Sequence, residues 1–152
     1  MGIVISVDCD SCGYGQGFDV DVGDLFIPTV DNLIENFLNK RKSSELLKII
    51  EGEMVKECDF YYGLFICDKC ETLQRRLHYS LKFMARDEFH SEHNCSKCRR
   101  KLREIELNGI KLDGTEFFGT ELNNIETLNR LNCRCRSCGM RPLIYIDNIL
   151  WD

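Results

Sequence analysis

Phe60-Tyr61-Tyr62-Gly63-Leu64-Phe65-Ile66-Cys67-Asp68-Lys69-Cys70 is the stretch on which the fold turns. Phe60 to Ile66 is a short aromatic and apolar run, which reads as a buried strand. It leads directly into a C-x-x-C turn. Beyond the turn, Leu73, Arg75, Leu77, Tyr79, Leu81 and Phe83 share parity, with mostly polar residues between them. That period of two predicts a long second strand with one packed face. Two strands joined by a turn that carries two thiols are the nucleus of the chain.

The same turn recurs at Cys9/Cys12, Cys95/Cys98 and Cys135/Cys138. Two residues between cysteines let one tight turn aim both sulfurs at a single ion. Backbone N–H groups of the turn can then donate to the thiolates and offset their charge. Two such knuckles complete a tetrahedral four-sulfur site, the geometry of structural zinc. Four knuckles therefore predict two Zn2+ ions, with Gly13 and Gly139 suiting the tight turns. The expected pairing is nested. Cys67/Cys70 joins Cys95/Cys98 in an inner zinc ribbon over about residues 60–107, with Leu102 to Leu107 as its last strand. Twenty-four residues separate Cys70 from Cys95, against the usual ribbon spacing of roughly 15–20, and the long strand accounts for the excess. Cys9/Cys12 then joins Cys135/Cys138 and staples the two ends of the chain together. Pairing 67/70 with 135/138 stays open, as does iron in a rubredoxin-like site.

Of the ten cysteines, Cys58 and Cys133 are left over. Cys58 reads as a core thiol beside the aromatic strand. Cys133 is an alternate for Cys135. His93 could ligate if a cysteine did not, and His78 falls on the polar face of the long strand and is expected to be exposed. Eight thiolates fill two closed sites and leave no open coordination position, so the reading is against an enzyme. A thioredoxin-like redox role lacks its βαβ context.

The start of the chain has no basic n-region and no apolar h-region, and no apolar run approaches the roughly 18–20 residues of a membrane span. Paired thiols persist in a reducing compartment, so the expectation is cytoplasmic, with no membrane. The opening also matches a myristoylation pattern, M-G-x-x-x-S, against which Ile3 to Val7 read as a strand. Net charge is -5 over 152 residues, unevenly spread. Residues 1–66 carry five basic and twelve acidic side chains, 67–103 ten and five, and 104–152 five and eight. An acidic chain binds nucleic acid poorly without specific contacts. The middle zone nevertheless holds Arg75, Arg76, Lys97, Arg99, Arg100, Lys101 and Arg103, a surface for phosphate or a counterweight to the formal -2 of a zinc–tetrathiolate site.

Phe18, Val20 and Val22 alternate with aspartates and read as a strand. Val30, Leu33, Ile34, Phe37 and Leu38 form one helical face after Pro28 and Thr29. Ser43 and Ser44 suggest a second start, with Leu46, Leu47, Ile50 and Met54 continuing to about Lys56. The expectation is two short helices, or one broken near Lys42. Residues 86–94 read as a polar loop, Leu122, Ile125 and Leu128 as a short helix, and Leu143 to Trp151 as a closing strand. The class is α+β: a zinc-ribbon or rubredoxin-like β core with two short helices from the N-terminal third, all in one compact domain over 1–152.

Cys9-x-x-Cys12-Gly13-Tyr14, Phe65-Ile66-Cys67-x-x-Cys70, Cys95-x-x-Cys98 with Lys101-Leu102, and Cys135-x-x-Cys138-Gly139 with Trp151-Asp152 resemble small uncharacterised bacterial double zinc-ribbon proteins. The resemblance covers the cysteine-bearing half of the chain and does not extend to the helices. It implies bound zinc and a bacterial cytoplasm and implies no activity. The function expected is a binding or adaptor module with a protein partner. A nucleic-acid partner and a rubredoxin-like redox or metal-handling role are the alternatives.

Overall fold

The computed structural model describes residues 2–20, 27–105 and 133–149. The expected strand positions Val22, Glu106 and Leu107, the short helix at Leu122, Ile125 and Leu128, and the end of the closing strand at Trp151 lie outside them. The described chain is α+β with two antiparallel sheets. The strands are β1 (Gly2–Cys9), β2 (Tyr14–Val20), β3 (Val55–Cys67), β4 (Thr72–Phe83), β5 (Phe89–His90), β6 (Arg103–Glu104) and β7 (Leu143–Ile149). The first sheet has the order β2-β1-β7 and the second β5-β4-β3-β6.

The helical segment differs from expectation in its boundaries. Thr29 caps a single turn, α1 (Val30–Asn32), by accepting from the Asn32 N–H. A wider π-type turn follows over Leu33–Phe37. The break falls at Leu38 and Asn39. Asn39 caps α2 (Lys40–Ile50) by accepting from the Lys42 N–H, a standard N-cap bond. Ser43 and Ser44 do not start a helix: their hydroxyls donate back to the Asn39 and Lys40 carbonyls. The helix stops at Ile50, well short of Lys56. Gly52 takes φ +74 and the Glu53 N–H donates to the Ile50 carbonyl at 3.0 Å, which closes a turn that a left-handed glycine favours.

The β3–β4 hairpin is longer than the apolar run suggested, because Val55 to Asp59 already pair with Phe83 to Ser80. One face of it carries Phe60, Leu64 and Ile66 with Leu73, Leu77, Tyr79, Leu81 and Phe83, all buried. At the far end this face packs against Leu33 and Leu46, with Phe37 4.9 Å from Phe60 between ring centroids. At the knuckle end it packs against Ile5, Val7, Phe18, Val20 and Ile144 of the first sheet. The opposite face carries Phe65, Gln74, Arg76 and His78. Residues 86–94 are not simply a loop: β5 pairs Phe89 and His90 with Leu81 and Ser80.

The two sheets share one plan. In each, a strand ends in a cysteine, a knuckle turns the chain, and the next strand pairs back: Cys9 opposite Tyr14, Cys67 opposite Thr72. In each, a later knuckle feeds a third strand onto the other edge of the first: Asp8 opposite Leu143, Ile66 opposite Arg103. Leu143 and Arg103 stand at the same distance beyond Cys138 and Cys98. The register is the same in both. One ribbon-shaped unit is thus inserted, with the helices, between the second and third strands of another.

Candidate metal centres

The nested unit explains how the cysteines meet. Cys9, Cys12, Cys135 and Cys138 gather in one group and Cys67, Cys70, Cys95 and Cys98 in a second, the sulfurs of each all within 4.8 Å of one another. In the outer group Cys9 lies 3.5 Å from Cys138 and Cys12 3.7 Å from Cys135. The equivalent inner distances are 3.5 Å for Cys67 to Cys98 and 3.9 Å for Cys70 to Cys95. A regular tetrahedron with zinc–sulfur bonds of 2.3 Å puts its sulfurs about 3.8 Å apart. A disulfide would need about 2.05 Å. The spacing fits four thiolates around one ion.

Each knuckle is closed by the same backbone bond, from the residue after the second cysteine to the first cysteine's carbonyl. Gly13 donates to Cys9 at 2.8 Å, Glu71 to Cys67 at 2.7 Å, Arg99 to Cys95 at 3.0 Å and Gly139 to Cys135 at 2.9 Å. N–H groups also point at sulfur, from Cys70 to Cys67 and from Ser137 to Cys135, both at 3.4 Å. Burial pushes the Cys95 thiol up, but the Cys98 and Lys97 N–H groups and the Gln74 amide outweigh it and bring it to about 6. At the equivalent Cys135, the Cys138 N–H leads and the result is about 7. Cys70 is held up at about 12, first by Cys98 and then by burial. The first thiolate forms readily and the next is opposed by its neighbours, an imbalance that a divalent cation removes.

The centres differ in exposure. Cys12 and Cys138 of the outer group are exposed, whereas Cys70 and Cys98 are half-buried. They are also joined: the Arg134 N–H donates to the Glu71 carbonyl at 2.6 Å, the Arg134 guanidinium pairs with the Glu71 carboxylate, and it reaches the Gly139 carbonyl at 3.4 Å.

Cys133 is in neither group. It is buried in the core between the sheets, and burial raises its thiol to about 11. Cys58 is half-buried, with burial again raising its thiol to about 11. His93 is not gathered with the cysteines. It is buried, its ring 5.0 Å from Phe65 and its Nε2 3.2 Å from Ser91 Oγ, which itself accepts the Tyr79 N–H. His78 is half-buried rather than exposed, because β5 and Tyr61 cover it: ring centroids lie 5.9 Å from His90 and 5.1 Å from Tyr61.

The residues of the basic zone differ in their surroundings. Arg75 lies half-buried with its guanidinium 3.6 Å over Tyr62, and Arg76 donates to Gln74 Oε1 and the Arg75 carbonyl. Lys101 pairs with Glu92 and Arg103 with Asp68. Lys97, Arg99 and Arg100 are exposed on the second inner knuckle and form no ion pair among the described residues.

No protein-family model, no curated protein and no solved structure matches this chain. The likeness to double zinc-ribbon proteins therefore stands on the two tetracysteine groups alone. No described helix is long and apolar enough to cross a membrane.

The duplicated plan has a signal in the sequence itself. Cys9-Asp10-Ser11-Cys12-Gly13-Tyr14-Gly15-Gln16 and Cys67-Asp68-Lys69-Cys70-Glu71-Thr72-Leu73-Gln74 share C-D-x-C-x-x-x-Q. The outer knuckles bring the N- and C-terminal segments together in a second ribbon-shaped unit.

Proposed function

We propose that the chain is a cytoplasmic zinc protein in which Cys9, Cys12, Cys135 and Cys138 hold one structural Zn2+ and Cys67, Cys70, Cys95 and Cys98 a second. On this reading both sheets are zinc ribbons in one compact domain, and the protein acts as a binding or adaptor module. The match of the sulfur spacing to a tetrahedral tetrathiolate carries the reading. Both ions are closed off by four thiolates, so each organises two knuckles and activates no water. The binding free energy is then largely folding free energy.

Native mass spectrometry of anaerobically purified protein, with elemental analysis, tests this. Two zinc ions per chain, retained until the thiols are alkylated, are expected. One ion, or iron, or metal lost to mild chelation would sink the two-site zinc reading. The partner is proposed to be a protein. Lys97, Arg99 and Arg100, exposed and without an ion pair among the described residues, favour a nucleic-acid partner as the second reading. Salt-dependent oligonucleotide binding, lost on reversing those three charges, would establish it in place of the first.

A further inference from the structure

We propose that Gln74 is a positioning residue of the inner centre, whose amide N–H fixes the Cys95 sulfur on the ion and makes this centre hold its metal longer than the outer one. The inference rests on the metal reading above. Gln74 is only 9% exposed, yet it projects from β4 into the second knuckle. Its Nε2 lies 3.1 Å from Cys95 Sγ. Its Oε1 accepts from Arg76 Nη2 at 2.5 Å and from the Ser96 N–H at 3.3 Å. Two N–H donors on one end of the amide fix which end is oxygen, so the donor end faces sulfur. The Arg76 charge polarises the amide further in that direction.

An N–H aimed at a thiolate removes part of its negative charge without removing the ligand. Here it also ties the knuckle at Cys95 to the strand that follows the knuckle at Cys67. The bond thus joins the two halves of the inner centre. The duplicated plan supplies an internal control. Gln16 occupies the same position after Cys12 that Gln74 occupies after Cys70. Its Oε1 takes the Tyr14 hydroxyl at 2.6 Å, and it makes no bond to sulfur among the described residues. The outer centre lacks the tie and has two exposed cysteines.

The test uses the full-length, two-metal protein and the variants Gln74→Glu, Gln74→Leu and Gln16→Leu. Gln74→Glu is the cleanest, because it keeps the shape and the acceptor for Arg76 and Ser96 while replacing the donor. Slow metal loss to a strong chelator in large excess, harsher than the mild chelation that both centres should withstand, is followed by native mass spectrometry, with peptide mapping of alkylated cysteines to assign each ion. In the wild-type protein the outer ion should leave first. Gln74→Glu should lose the inner ion about 10–100-fold faster, the range for outer-shell partners of metal ligands. In the Co2+-substituted protein the sulfur-to-cobalt charge-transfer band should move to lower energy, a signature that loosened packing alone does not give. Gln16→Leu should leave the inner rate unchanged. If Gln74→Glu does not fold, Gln74→Leu carries the same two readouts. An inner ion that leaves at the wild-type rate, an unmoved cobalt band, or a wild-type inner ion that leaves first overturns the proposal. A wild-type protein that binds no metal overturns the reading beneath it instead.

Discussion

The residue after the second cysteine is left-handed in all four knuckles: φ is +68 at Gly13, +52 at Glu71, +64 at Arg99 and +77 at Gly139. Introducing glycine at one of these places and removing it at another should therefore have opposite effects on stability. A left-handed L-residue costs roughly 1–2 kcal/mol. Glycine gives back about 0.5–1 kcal/mol through its greater freedom in the unfolded chain. The difference favours glycine by roughly 0.5–1 kcal/mol. The Arg99 side chain is exposed and forms no ion pair among the described residues, so Arg99→Gly should stabilise by about that amount. A Cβ built on Gly13 meets nothing within 4 Å, so Gly13→Ala pays no steric cost and should destabilise by roughly 0.5–1 kcal/mol through the backbone alone. Glu71→Gly gains the same relief but gives up the partly exposed pair with Arg134, worth about 0–1 kcal/mol, so it should be near neutral. Thermal melts at fixed free zinc read this, since bound metal shifts the midpoint. For a chain of this length each kcal/mol moves Tm by about 2–4 °C. A drop in Tm for Arg99→Gly would refute the assignment of strain to that backbone.

Leu81 is fully buried between the helices and the hairpin, and Leu81→Ala should cost about 2–5 kcal/mol in chemical denaturation. A loss under 1 kcal/mol would mean that the helices do not pack there. At Gly63 an added Cβ would sit 3.0 Å from Phe65 Cε2 and 3.1 Å from Glu104 Oε1, the oxygen that accepts the Tyr61 hydroxyl at 2.7 Å. Gly63→Ala should destabilise by about 1–3 kcal/mol, and a neutral result would show that β3 and β6 can part there freely. Burial raises the Cys58 thiol to about 11 from an ordinary value near 9. Between those values the folded chain binds the extra proton, so stability should fall as pH rises from about 9 to 11. Burial and Glu104 raise Tyr61 in the same sense. Cys58→Ala should flatten the alkaline limb of a stability–pH curve, and an unchanged limb would remove Cys58 as its source.

What was legible follows from period and spacing. The hairpin of residues 60–83 showed in the apolar run of 60–66 and the period of two over 73–83, and the eight clustered cysteines showed in C-x-x-C. Boundaries set by single side chains were less visible: Asn39 rather than Ser43 caps α2, and Gly52 ends the turn before β3. The burial of His93 depends on Ser91 and Phe65 meeting it in space, which no local pattern encodes. The short β5 carries too few residues to show a period at all.

The pairing of β7 with β1 in the outer unit is less legible than the cysteine pairing there, for a reason that bears on how the unit forms. Its halves are remote: Cys9 and Cys138 are 129 residues apart, whereas Cys67 and Cys98 are 31 apart. Nothing local announces that β7 will pair with β1. Closing the longer loop from an open chain costs about 1.3 kcal/mol more by the logarithmic law. The inner hairpin, whose strands adjoin a single knuckle, has the lower closure cost and should organise first. Once it has, residues 55–105 of the intervening chain are already compact, and the Glu71 carbonyl stands ready to receive the Arg134 N–H. That bond sits next to Cys135, so the inner unit should guide the last knuckle onto the outer site. The unit that closes last is also the one with exposed sulfurs. The expected assembly order and the metal lability proposed above thus point the same way: the inner centre should act as the scaffold, and the outer centre as the clasp that opens first.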